Sequence, residues 1–184
     1  ERAMSRATLI IAAAALLVGG APASAQNRPE VPEDQAVRKL PRQSLNGPRF
    51  GFTTFTGDVA EQRNMAGLEP IMSQFGWQFE NQIVSTTSGN RALLEGLVLL
   101  GGLEQGEFNM SFAGLAGFRT DAGVEFGAGP NFNFNRDSEE WTTSMLVAAG
   151  ATMPFGDVYV PVNVAMGLAK GGPRVTALMG WIIG

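Results

Sequence analysis

The sequence predicts an all-β protein, an antiparallel meander closing into a roughly eight-stranded barrel, with one short helix between strands 1 and 2. Three observations carry that prediction. From Arg49 onward, bulky apolar residues recur at every second position within short segments, which is strand periodicity. Clusters of Gly, Asn, Asp and Pro separate those segments at hairpin spacing. The face opposite the apolar one is built from Gly, Ala, Ser and Asn rather than the Lys, Glu, Arg and Thr of a water-washed sheet, so that face is expected to be enclosed.

At the N-terminus, Arg2 and Arg6 precede the apolar run Leu9 to Val18, followed by Gly19-Gly20 and the small-residue site Ala23-Ser24-Ala25. This is the order of an export signal, so residues 1–25 read as a cleaved signal peptide with Met4 as the natural start. The apolar run falls short of the roughly 20 residues that a spanning helix needs. No Cys follows the cleavage site to carry a lipid anchor. Residues 26–48 hold Pro29, Pro32, Pro41 and a mixture of charges without an aromatic residue, the composition of a flexible tether. Residues 49–184 are then the barrel domain.

Strands are expected near 49–56, 76–86, 91–103, 107–118, 123–134, 141–153, 158–169 and 174–183. Asp58 is placed to cap a short helix that Gly67 ends. A simple surface connection is the expected role of this helix, with cover over an external opening or contact with a partner as the other role open to it. In the seventh strand Val158, Val160, Val162, Val164, Met166 and Leu168 share one face, with Tyr159, Pro161, Asn163, Ala165 and Gly167 opposite. The fifth sets Val124, Phe126, Phe132 and Phe134 against Glu125, Gly127, Gly129, Asn131 and Asn133. The bulky face is expected to point outward and the small, polar face to fill a narrow lumen. Pro130 and Pro161 fall inside strands, where each removes a ladder donor, so a bulge or an interrupted seam is expected beside them.

Composition excludes several kinds of chemistry. The chain has 24 Gly, 12 Phe and 3 Trp, no His and no Cys, 16% charged residues and a formal net charge of -4. Without His or Cys there is no imidazole base, no thiolate nucleophile and no His or Cys metal ligand. No basic stripe follows Arg42, so nucleic acid is not an expected partner. Neither a cofactor nor a metal is expected, and the glycines of Gly101-Gly102 and Gly127-Ala128-Gly129-Pro130 lack the following helix and Lys of a phosphate loop. Glu80, Glu95 and Glu125 are the remaining candidates, as lumen carboxylates. Two roles are open to them: acid-base or cation-binding work, or buried polar links with Arg91, Asn131, Asn163 and neighbouring Gln, of which the second is expected. Trp77, Trp141 and Trp181 lie at or near the expected strand ends, as an interfacial aromatic belt requires; ordinary core packing is the other role open to them.

The layout resembles the small eight-stranded outer-membrane proteins of the OmpX and OmpA-barrel kind. Ser73-Gln74-Phe75-Gly76-Trp77-Gln78-Phe79-Glu80, Gly101-Gly102-Leu103-Glu104-Gln105-Gly106 and Gly123-Val124-Glu125-Phe126-Gly127-Ala128-Gly129-Pro130-Asn131 are similar to stretches in an uncharacterised set of exported bacterial proteins. The resemblance implies a transmembrane barrel in a Gram-negative outer membrane, with membrane lipid as partner and a structural or interaction role without catalysis. The alternative is a soluble periplasmic barrel that turns its Val and Phe face inward around a lipid or other apolar ligand.

Overall fold

A computed structural model describes residues 45–183; the residues read as an export signal and nearly all of those read as a tether lie outside the described residues. The strands are β1 (Gly47–Phe55), β2 (Ile71–Ser85), β3 (Arg91–Gly101), β4 (Asn109–Arg119), β5 (Val124–Asn135), β6 (Glu140–Phe155), β7 (Val158–Leu168), β8 (Arg174–Gly180) and the two-residue β9 (Ile182–Ile183). From β1 to β8 each strand pairs antiparallel with its sequence neighbours, β9 pairs with β7, and β1 pairs with β8, so the meander closes on itself as an eight-stranded barrel. The helix α1 (Asp58–Met65) joins β1 to β2. The barrel has a turn end, with the hairpins β2–β3, β4–β5 and β6–β7, and a loop end that carries α1 and the other connections.

Several boundaries move from those expected, each for a local reason. Strand β1 starts at Gly47, and Leu45 just before it is buried, so the last residues read as tether belong to the barrel. Strand β2 starts at Ile71 because the β1 ladder continues to the pair Thr54 and Ile71. The helix is not capped by Asp58. Gly57 occupies the cap position without a side-chain bond, and Asp58 is the first helical residue, where its charge meets the positive end of the helix. Gly67 does end the helix: its φ of 76° allows the Leu68 amide to reach the Arg63 carbonyl at 2.9 Å.

Both in-strand prolines sit in gaps of a ladder whose register is unchanged. Between β4 and β5 the pairing runs to Ala113 and Asn131 and resumes at Ala116 and Ala128, skipping Pro130. Beside that gap the backbones close in, and a Cβ on Gly129 would lie 1.9 Å from the Gly114 carbonyl oxygen. Pro161 lies where β7 leaves β8 and meets β9, so the expected final strand is divided in two opposite the missing donor.

The two faces of the barrel are inverted relative to a soluble protein. Among the described residues 9 hydrophobic residues are buried against 13 polar or charged ones, whereas 27 large hydrophobics are exposed, so the apolar surface lies outside the fold rather than within it. Phe126 is 57% exposed and Val164 45% exposed, pointing outward as their alternation predicts. Pro161 and Asn163, at the alternate positions of β7, turn into the lumen. The charged residues of the strands, Arg49, Glu80, Arg91, Glu95, Arg119, Glu125, Glu140 and Arg174, all fall on inward-facing positions of the alternation, leaving the outer face without a charge.

Candidate functional site

The lumen has two parts. Toward the turn end it is sealed by charge. Arg119, the last residue of β4, is 1% exposed and meets both oxygens of Glu80, at 2.7 and 2.5 Å. Its Nε donates to Glu125 Oε2 at 2.8 Å, and Glu95 Oε1 lies 3.9 Å from Nη2. Asn163 donates a short hydrogen bond to the other oxygen of Glu125. Arg49, also 1% exposed, donates to Gln78 Oε1 at 3.0 Å and to the Pro48 carbonyl at 3.1 Å. Asn46 extends the cluster to the chain entry by accepting from the Glu80 amide at 2.6 Å.

Strand register explains this convergence. Glu80 stands opposite Glu95 across β2 and β3, and Arg119 stands opposite both Arg91 and Glu125 on its two neighbours. Three carboxylates gathered from β2, β3 and β5 would repel one another in a medium of low dielectric. A planar guanidinium with a fork of donors can serve them together, which a lysine could not do. The geometry is that of a plug. Both oxygens of Glu80 and Oε2 of Glu125 are hydrogen-bonded to the protein's own cation, while Glu95 stands 3.9 Å from it.

Of the residues that alternation places in a polar network, Glu80, Glu95, Glu125 and Asn163 come together. Arg91 is buried on the same inner face, directly across from Arg119. Asn131 is apart from them: it accepts from Ser111 at 2.8 Å, nearer the loop end. The residues missing from the sequence-based set are Arg119 and Arg49. Arg119 lies one residue past the expected strand 107–118, yet it continues the inward series Ser111, Ala113, Leu115, Gly117, so one further step of that alternation reaches it.

Toward the loop end the lumen opens into a cavity of about 660 Å³. Its walls carry Thr53, Gln74, Ser111, Asn131 and Ser144, with Leu97, Leu146 and Leu178 deeper down. Thr53 bonds to Gln74 at 2.8 Å and to Thr176 at 2.6 Å, tying β1 to both neighbours from inside. Helix α1 borders the opening, which favours the second role open to it, a cover, over a simple surface connection. Asp58, Val59, Gln62 and Arg63 border the cavity, and Arg63 is buried. Arg63 pairs with Glu107 at 2.7 Å, donates to the Glu69 carbonyl at 2.9 Å, and lies 4.5 Å above the Phe55 ring. The Val59 amide bonds to the Gly171 carbonyl at 3.1 Å, fastening the helix to the β7–β8 connection as well.

Glu104 braces the same rim by accepting from the Ser73 amide at 2.7 Å and hydroxyl at 2.5 Å. Burial alone would raise its pKa, but the hydrogen bonds from Ser73 outweigh that and hold it below the ordinary carboxyl value.

The tryptophans all face outward: Trp77, Trp141 and Trp181 are 46%, 60% and 49% exposed, which rules out core packing for them. Trp141 stands at the loop end beside Phe134, with centroids 5.0 Å apart, and Trp181 near the turn end beside Phe50 at 5.7 Å. Trp77 corrects the expectation of a strand-end position. Because β2 starts early, it lies well inside that strand, although it is level with Pro48 at the beginning of β1.

Fold and lumen together define a class: a closed eight-stranded antiparallel β-barrel with an apolar outer wall, a charged plug and a partly lidded polar cavity. No protein-family model, curated protein or solved structure matches the chain, so this class rests on its own geometry.

Proposed function

We propose that this chain is an exported protein that spans the outer membrane as a small β-barrel and serves there as a structural or interaction element, without catalysis. One observation carries the reading. The outer face of the closed sheet is aromatic and aliphatic and bears no charged side chain, while every charged strand residue is turned inward. In water that arrangement would expose a contiguous apolar surface far beyond the few hundred Å² usual for a monomer. In a bilayer it is the low-energy one, because acyl tails solvate the hydrocarbon side chains and a closed ladder leaves no unpaired edge.

Strand length supports the same reading. The strands β1 to β7 run from 9 to 16 residues, and about 9–11 tilted residues suffice to cross the hydrocarbon core. The competing reading, a soluble periplasmic barrel enclosing an apolar ligand, needs Phe126 and Val164 turned inward. Their outward exposure counts against it.

Fractionation tests the proposal. Membranes from cells expressing the full chain are washed with carbonate or urea. The protein should stay in the membrane pellet and migrate differently on a detergent gel before and after boiling. Release into the soluble fraction would overturn the proposal.

A further inference from the structure

We infer that the loop-end cavity is a binding site for a small hydroxylated organic anion, its carboxylate held by Arg174 and its hydroxyl groups by Ser144 and Asn133. This concerns the lumen alone and does not depend on what bathes the outer face.

Arg174 opens β8, and its guanidinium lies 5.3 Å from the Phe55 centroid. The second cation over that ring, Arg63, is committed to Glu107 and to the Glu69 carbonyl. Arg174 has no such arrangement. Among the described residues no carboxylate pairs with it, and its Nε is shielded from solvent without an acceptor. A half-buried guanidinium beside another cation is unfavourable until an anion meets it. The other carboxylates bordering the cavity, Asp58 and Glu140, stand exposed at its rim, where water satisfies them.

The neighbouring wall has the same character. Ser144 is 8% exposed, and its Oγ is buried without a partner, as is Asn133 Nδ2. Both lie on inward positions and line the cavity. Gly167 lies between Ser144 and Arg174. A Cβ built there would come 3.2 Å from Leu146, 3.7 Å from Ser144 Oγ and 3.8 Å from the Arg174 carbonyl oxygen, so the missing side chain leaves the wall between them bare. Asn133 on β5, Ser144 on β6 and Arg174 on β8 thus bring unpartnered polar atoms to the wall of one cavity, and buried polar groups in proteins call for a partner.

Size and lining narrow the class. The volume of about 660 Å³ falls in the range of about 300–1,000 Å³ typical of small-molecule sites, well beyond a bare inorganic ion. Amide and hydroxyl groups above a leucine floor suit a molecule with hydroxyl edges and a C–H face, such as a sugar acid.

The full chain, in lipid nanodiscs or in buffer as the fractionation dictates, is titrated calorimetrically with glucuronate, glucose and inorganic phosphate. Glucuronate should bind saturably, and both glucose and phosphate about tenfold more weakly or worse. Arg174→Gln should weaken glucuronate by about tenfold while leaving glucose unchanged, and Ser144→Ala should have a smaller effect. A retained β-sheet spectrum shows that each variant is folded. Should Arg174→Gln fail to fold, Ser144→Asp replaces it, because its carboxylate would occupy the guanidinium from within. The inference is overturned if folded wild-type protein does not bind glucuronate saturably, if glucose or phosphate binds as tightly, or if the variant that folds keeps wild-type affinity.

Discussion

Val164 and Ala165 are neighbours in sequence, yet they belong to opposite surroundings. One points out of the wall among Phe, Val and Met, and the other looks across a lumen of amides, hydroxyls and paired charges. The contrast is repeated around the ring, and it reverses the usual order in which water is met by charge and the interior by hydrocarbon. The outer face presents hydrocarbon to whatever surrounds it; the inner face has no hydrophobic excess and must satisfy its polar groups one by one. Damage to the two faces should therefore differ in kind.

The largest effect is expected at the plug. Arg119→Leu leaves three carboxylates facing each other without their cation, and loss of one partner from a buried ion cluster costs about 3–5 kcal/mol. The urea midpoint of the folded barrel should fall accordingly; a change below about 1 kcal/mol would mean that the lumen is hydrated enough to screen them.

Next comes a charge on the opposite face. Val162→Arg, in mid-strand on the outer wall, should cost about 2–4 kcal/mol if it faces the bilayer centre. A shift within about 0.5 kcal/mol is what a water-facing site would give.

Two glycines sharpen the contrast further. Gly129 faces inward, and a Cβ there meets the Gly114 carbonyl at 1.9 Å, whereas a Cβ on outward-facing Gly96 meets only Phe79 at 4.0 Å. Gly129→Ala should destabilise by about 1–3 kcal/mol through overpacking, and Gly96→Ala should be neutral or slightly stabilising. Comparable unfolding midpoints for the two would show that the lumen is looser than its backbone approaches indicate.

The smallest effect belongs to the rim. Because Ser73 depresses the Glu104 pKa, the stabilisation that this carboxylate contributes is complete above its ordinary value of 4.5 and is lost as pH falls through the lower folded value. Glu104→Gln should therefore sit slightly below wild type in unfolding midpoint at neutral pH and converge with it in acid. A gap that widens in acid would contradict the sign.

How far the sequence disclosed this arrangement depends on the kind of signal involved. Alternation is strictly local, so the strands, the closing order and the facing of Val162, Val164 and Phe126 could be read directly. Gly67 marked the end of α1 for the same reason. Which residues converge across the lumen is set instead by register between strands, and register is not written in any single segment. Glu80, Glu95, Glu125 and Asn163 are recognisable as inward-facing, whereas Arg119 lies one residue past the expected end of its strand and Arg49 at the very start of its own. The ladder gaps at Pro130 and Pro161 were foreseeable from a missing donor. Local signals favoured a simple connection for α1 over cover of an opening, because the Arg63 and Glu107 pair that holds it beside the cavity joins connections 44 positions apart.

The claim on which the rest depends is that the outer wall is bathed by lipid, and site-directed spin labelling addresses it most directly. The chain has no Cys, so Val164→Cys and Ala165→Cys each provide a unique attachment site. In reconstituted bilayers the label at position 164 should collide readily with oxygen and scarcely with a water-soluble nickel chelate, while the label at 165 should lack that preference for oxygen. Collision of the position-164 label with the chelate as frequent as that of a label on the exposed connection at Asp137 would contradict the account.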